Sequence, residues 1–261
     1  IKKYVTVADS CTTTTSASFA GHKVDPFRAY ALGTRMEVSP NYLDWEETYP
    51  SLCVIKENWR EIAQEAAECV KQEWIPWPED HVGASERKRD WTVFPFLHTF
   101  PALDESKSQW IASTTQICPR TTELLRSIPN LRTALFSRLG PSTQLAPHTG
   151  WSDLANYVLR CHICLHMSDE PLLYGEAHVV DEADDEEEEG STDGSSEGGD
   201  TAKRTCGMWV EGEIQYHSPG NIIVFDDSKR HKAFNYSNAD RIVLIMDLLR
   251  PMHVAPGTAK G

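Results

Sequence analysis

The chain has 261 residues and a formal charge of −14, from 39 Asp plus Glu against 25 Lys plus Arg. Eleven of those acids lie between Asp181 and Asp200, a stretch without a single base, so the rest of the chain is close to neutral. A body this balanced, with no basic stripe interleaved with aromatics, excludes a phosphate-backbone binder and so nucleic acid as a partner.

No membrane span is expected in the visible chain, because no stretch reaches the roughly 18 consecutive apolar residues a spanning helix needs. At 40% hydrophobic residues, with eight each of Trp, Tyr and Phe, the composition supplies one large core, and a single domain is expected over residues 26–261. Seven irregularly spaced Cys favour a reducing, cytoplasmic setting. Cys161 and Cys164 form an isolated CxxC on a strand pattern, which reads as two packed thiols on opposite faces rather than a zinc or redox pair.

Residues 1–25 are rich in Ser and Thr and read as a flexible or extended N-terminal arm. A helical and aromatic part follows over 26–130. Trp59, Ile62, Ala63, Ala66 and Val70 keep helical spacing, which predicts an amphipathic helix from Glu57 to about Trp74, stopped by Pro76 and Pro78. An aromatic segment (Trp91, Phe94, Phe96, Phe100) is broken by Pro95 and Pro101, and a short helix capped by Thr121 or Thr122 runs to Pro129. From 131 to 251 the texture is short strands between turns: Thr133–Leu139, Tyr157–His166, Cys206–Val210, Asn221–Phe225, Lys232–Tyr236 and Ile242–Leu249. The series predicts a mainly β fold with flanking helices, a β-sandwich or jelly roll. The acidic tract 181–200 falls between two of these strands and reads as a disordered insertion.

Among ten His, two stand in unusual surroundings. His148 follows Ala146-Pro147 after a Gly-Pro turn, and His231 follows Phe225-Asp226-Asp227-Ser228, just before a strand. Neutral imidazole suits Fe, Cu, Ni and Zn alike, so spacing alone leaves the metal and its existence open.

The ordered set Ser137, Pro147-His148-Thr149-Gly150, Arg160-Cys161-His162, Pro219-Gly220, Phe225-Asp226-Asp227-Ser228, His231 and Arg241 resembles the aspartyl/asparaginyl β-hydroxylase family. The resemblance implies a double-stranded β-helix of the cupin-like kind carrying an oxygenase that uses Fe(II), 2-oxoglutarate and O2 and releases succinate and CO2. It further implies iron ligation by His148 and His231 alone, since Gly150 stands where many other oxygenases place a third, carboxylate ligand. Asp227 would hold the water in that position, Arg241 and Ser137 would grip the distal carboxylate of 2-oxoglutarate, and Arg160 and His162 would also contact the cosubstrate. Without the resemblance, Asp227 reads as a turn residue and Arg241 as a surface residue at a strand edge.

Two departures bear on substrate. Peptide-hydroxylating members carry Lys-x-Ser and Arg-x-Arg-x-His, whereas this chain has Leu135 and Val158 at the extra basic positions. If both line the pocket, an acidic side chain buried there would lack partners, at a cost of several kcal/mol. A small-molecule or amino-acid-derived substrate is therefore expected, with a peptidyl Asp/Asn hydroxylase, an iron-dependent halogenase, and a non-catalytic jelly-roll binding module as alternatives. Oligomeric state is not legible.

Overall fold

The computed structural model describes residues 39–77, 82–83, 90–168 and 205–260. The expected N-terminal arm 1–25 and the acidic tract 181–200 lie outside the described residues.

Nine strands of three or more residues organise the described residues: β1 (Trp91–His98), β2 (Leu131–Leu139), β3 (Thr143–Leu145), β4 (Val158–His166), β5 (Cys206–Val210), β6 (Glu213–Tyr216), β7 (Ile222–Phe225), β8 (His231–Asn235) and β9 (Arg241–Leu249). The larger sheet has the order β7-β4-β9-β2-β1, extended by the short strands Tyr42–Leu43 and Ile75–Pro76 at its two ends. In the smaller sheet the order is β6-β5-β8-β3, with Val82–Gly83 beside β3. All pairings are antiparallel, and from β2 to β9 the chain winds repeatedly between the two sheets, so sequence neighbours are seldom sheet neighbours. This is a jelly roll, the expected fold class.

Alternation along the strands gives the large sheet two different faces. Phe136, Leu159, Cys161, Ile163, Leu244 and Met246 face outward into a core shared with the helices α1 (Cys53–Glu57), α2 (Trp59–Cys69) and α3 (Pro119–Arg126). Leu135, Cys164, Val243 and Ile245 face inward. Cys161 and Cys164 therefore do lie on opposite faces. Facing this interior from the small sheet are Leu145, Met208, Val210 and Ala233. Burying each large aliphatic or aromatic side chain of the outer core contributes about 1.5–3 kcal/mol, which fastens the helical layer to the sheet.

Several boundaries differ from the sequence expectation. The helix over Trp59 ends at Cys69 rather than near Trp74, because the Trp74 indole N–H donates to the Cys69 carbonyl at 2.7 Å and caps the last turn. Helix α3 begins at Pro119, ahead of the two threonines, and its cap comes from elsewhere: the Glu65 carboxylate on α2 accepts from the Arg120 and Thr121 N–H groups at 2.9 and 2.7 Å. His231 and Arg241 are the first residues of their strands rather than the residues before them. Trp91, Phe94 and Phe96 of the aromatic segment lie on strand β1, and Phe100 lies beyond its end. Pro95 is tolerated there next to a register shift between Pro95 and Leu97. Strand β6 was missed; Glu211 and Gly212, at φ 43° and 91°, make the tight turn that pairs it with β5.

At one end of the interior, Asn235 gathers the chain. Its amide donates to the carbonyls of Leu139, Gly140 and Ala239 at 2.8–2.9 Å, and its oxygen accepts from the Ser237 N–H and hydroxyl. The histidine pair described next sits at the opposite end of β8.

Candidate active site

His148 and His231 are locked together by their backbones. The N–H of each donates to the carbonyl of the other, at 3.0 and 2.8 Å, and the ring centroids lie 4.4 Å apart. Both Nδ1 atoms sit 2.8 Å from a backbone carbonyl, that of Ala146 and that of Lys229 respectively. A carbonyl only accepts, so each Nδ1 carries a proton, and in the neutral ring Nε2 is the atom left to bind a metal. This is the arrangement that orients metal-ligating imidazoles.

Asp227, fully buried on the loop after β7, lies beside them. Its Oδ1 is 3.3 Å from His231 Nε2 and 2.6 Å from Arg160 Nη1. Next to it, Asp226 is held by two contacts to the Arg250 guanidinium and by the Ser228 hydroxyl, which anchors the whole turn. Gly150 is required here: a Cβ at this position would stand 2.0 Å from Asp227 Oδ2. The space that a side chain at 150 would need belongs to the Asp227 carboxylate.

Arg160 carries two carboxylates at once. It forms a two-pronged pair with Asp247 at 2.8 and 3.0 Å besides its contact with Asp227. Burial pushes the carboxyls of Asp227 and Asp247 up from their ordinary range, and Arg160 offsets part of that effect. Burial also pulls on Arg160, yet the two carboxylates outweigh it and keep the guanidinium firmly charged.

Deeper in the interior lie His162, His217 and Arg241, each at most 4% exposed. Desolvation holds both imidazoles well below the ordinary histidine range, and positive neighbours push them further down. Ser137 Oγ accepts from the Trp91 indole at 3.0 Å.

A cavity of about 290 Å³ opens beside this site. His148, Gly150, Arg160 and Asp227 form its polar floor, and Trp77, Trp91, Leu97, Leu135 and Trp151 much of its walls. The three tryptophans stack in series, with centroids 4.6 and 6.1 Å apart, and Trp151 and Phe100 stay about half exposed at the rim.

The structure thus brings His148, Asp227 and Arg160 together at the cavity, with His231 against His148 and Asp227, and buries His162, Arg241 and Ser137 in the interior. Of the two residues expected to line the substrate pocket, Leu135 lines this cavity, and Val158 packs with Ala102 and Leu154. Sequence reasoning missed Asp247, although a lone carboxylate in the apolar strand Arg241–Leu249 was a usable signal. It also missed the tryptophan wall and His217, whose position after an exposed strand gave none.

The donor chemistry fits a borderline divalent cation held by two imidazoles. Among the described residues no group of three His, Cys, Asp or Glu side chains converges as a metal cluster, so a metal here would have two protein ligands and open positions. Also among the described residues, no helix is long and apolar enough to cross a membrane.

A curated relative, the ornithine lipid ester-linked acyl 2-hydroxylase of Rhizobium tropici, is 27% identical over 135 residues, 52% of this chain. The match spans only about a third of that relative, 36% of its length. Solved structures that resemble the chain include a 2OG-Fe(II) oxygenase family oxidoreductase from Burkholderia pseudomallei, at 12% identity and TM-score 0.44 over 75% of this chain and 81% of that one. A Pseudomonas putida prolyl-4-hydroxylase matches at 14% identity and TM-score 0.39, over 75% and 88%. The family model for aspartyl/asparaginyl beta-hydroxylases matches residues 56–192 and 198–251, and the chain belongs to that family.

Proposed function

We propose that this protein is an Fe(II)- and 2-oxoglutarate-dependent hydroxylase of a small, predominantly apolar molecule. The observation that carries the reading is the facing pair His148 and His231, each with Nδ1 tied to a carbonyl, in a fold that also buries Arg241. Bound iron with 2-oxoglutarate and O2 would supply the oxidation of an unactivated C–H bond, with succinate and CO2 as coproducts.

The chain's own residues do the rest. His148 and His231 hold the metal. Asp227, kept in place by Arg160 and filling the space in front of Gly150, would accept a hydrogen bond from water bound in place of a third protein ligand. Arg241 and the Ser137 hydroxyl pair with the distal carboxylate, because guanidinium stays charged when buried and matches a carboxylate with parallel hydrogen bonds. His162 lies between that pair and the histidines and contacts the same cosubstrate. Arg160, already committed to Asp227 and Asp247, acts chiefly by positioning Asp227.

Substrate class follows from the cavity. Leu97, Leu135 and the tryptophan faces carry no charge to balance a charged side chain, and an uncompensated buried charge is costly, so the substrate presents an apolar or aromatic segment to the metal. The acyl chain named for the Rhizobium relative satisfies that requirement, and a charged peptidyl Asp side chain does not.

The test is succinate formation by anaerobically prepared protein given Fe(II) and 2-oxoglutarate and then exposed to O2, with and without apolar candidate substrates. Succinate above a His148→Ala control, with a gain of one oxygen in the product mass, supports the reading. Neither metal uptake nor succinate above that control refutes it.

A further inference from the structure

Three basic side chains lie buried in the interior with polar atoms that no described residue satisfies. His217 is the first residue after β6, and its N–H donates to the Cys206 carbonyl at 2.9 Å, extending the β5–β6 ladder and setting the direction of its side chain. Neither of its ring nitrogens has a hydrogen-bond partner among the described residues, and the same is true of both ring nitrogens of His162. The two rings lie 5.9 Å apart and 23° from parallel. Arg241, 1% exposed, has Nε and Nη1 in the same condition.

Buried polar atoms are nearly always paired, and leaving several unpaired in one place is expensive unless a ligand or water completes them. The local excess is of donors around one guanidinium, so the complement is an anion with several acceptor sites. A carboxylate provides about four.

We infer that His217 is a further cosubstrate-binding residue, donating a ring N–H to the distal carboxylate of 2-oxoglutarate beside Arg241. The inference rests on the cosubstrate reading above and adds a contact that comes from the small sheet, opposite Ser137 and Arg241 on the large one. A neutral imidazole suits the place. The carboxylate and Arg241 already balance in charge, and a neutral donor adds a hydrogen bond without a second buried cation. Burial first, and then the nearby Arg241, keep His217 uncharged.

Binding of two 2-oxo acids to the Mn(II)-loaded full chain, measured by calorimetry, tests this without turnover. 2-Oxoglutarate carries the distal carboxylate, and 2-oxopentanoate keeps the metal-chelating end but lacks it. His217→Phe should weaken 2-oxoglutarate about tenfold or more, the worth of one hydrogen bond to a charged group, and leave 2-oxopentanoate unchanged. His217→Gln, which restores a donor, should recover part of the loss. Wild-type affinity for 2-oxoglutarate in His217→Phe overturns the inference, as does a parallel loss for both acids, which marks a merely structural role. If the wild-type protein binds 2-oxopentanoate and 2-oxoglutarate equally, no distal carboxylate is held and this inference falls. Failure of the wild type to bind either acid overturns the cosubstrate reading itself.

Discussion

Replacing Gly150 by alanine would set a methyl group 2.0 Å from Asp227 Oδ2, 2.8 Å from Ala155 Cβ and 2.9 Å from Asp227 Cγ. Carbon–oxygen contacts of that length do not exist, so something must move. Ala155 belongs to the short helix Ser152–Ala155 and has no flexible side chain to withdraw. Asp227 is the movable partner, but retreat takes it from Arg160, 2.6 Å away, in a fully buried setting. Overpacking alone costs about 1–3 kcal/mol, and parting a buried ion pair about 3–5 kcal/mol. Because Arg160 keeps Asp247, a combined loss of about 3–5 kcal/mol is expected. For a chain of this size each kcal/mol lowers Tm by about 2–4 °C, so Gly150→Ala should unfold about 6–20 °C below the wild type.

Thermal unfolding of Gly150→Ala, Asp227→Ala and the double variant separates the causes. With Asp227 shortened, only the contact with Ala155 persists, and the penalty of Gly150→Ala should shrink by about 2 kcal/mol or more. An unchanged Tm for Gly150→Ala, or the same penalty in both backgrounds, would refute the claim that the Asp227 carboxylate fills the space in front of Gly150.

Arg160→Gln should destabilise the fold by about 3–5 kcal/mol, since two buried carboxylates would then lack their cation; adding Asp247→Asn should restore part of the loss in a denaturant titration. Trp151→Ala should leave thermal stability nearly unchanged, because the side chain is about half exposed, yet weaken binding of an apolar ligand about tenfold, the scale of one aromatic contact, as read by fluorescence or calorimetry. Equal affinity in that variant would place the ligand away from the tryptophan wall.

How much was legible in the sequence varies with the physics of each element. Strands β2, β4, β5, β7, β8 and β9 were visible because alternation and turn residues are local signals. Strand β1 was hidden by Pro95, whose tolerance depends on a register shift against β2 that only pairing reveals. The start of α3 was misplaced because its cap, Glu65, comes from a different helix. At the site, His148, His231 and Asp227 were found through short motifs, and the backbone exchange between the two histidines brings those motifs together. His217 was not found, since its only distinction is a burial produced by two sheets closing on each other.

The Asn235 junction has a kinetic consequence. With three carbonyls and a neighbouring hydroxyl gathered on one amide, that end of the roll is stoppered, and Arg241 lies just inside it. Among the described residues the opening is the one lined by His148 and the tryptophans, so a molecule bound at Arg241 enters past the histidine pair through it. Whatever occupies the tryptophan-lined cavity blocks the way in and the way out. Steady-state rates should then show compulsory order, with the deep ligand loading first. Excess of the shallow one should inhibit by stranding the empty form, an inhibition relieved by raising the concentration of the deep ligand.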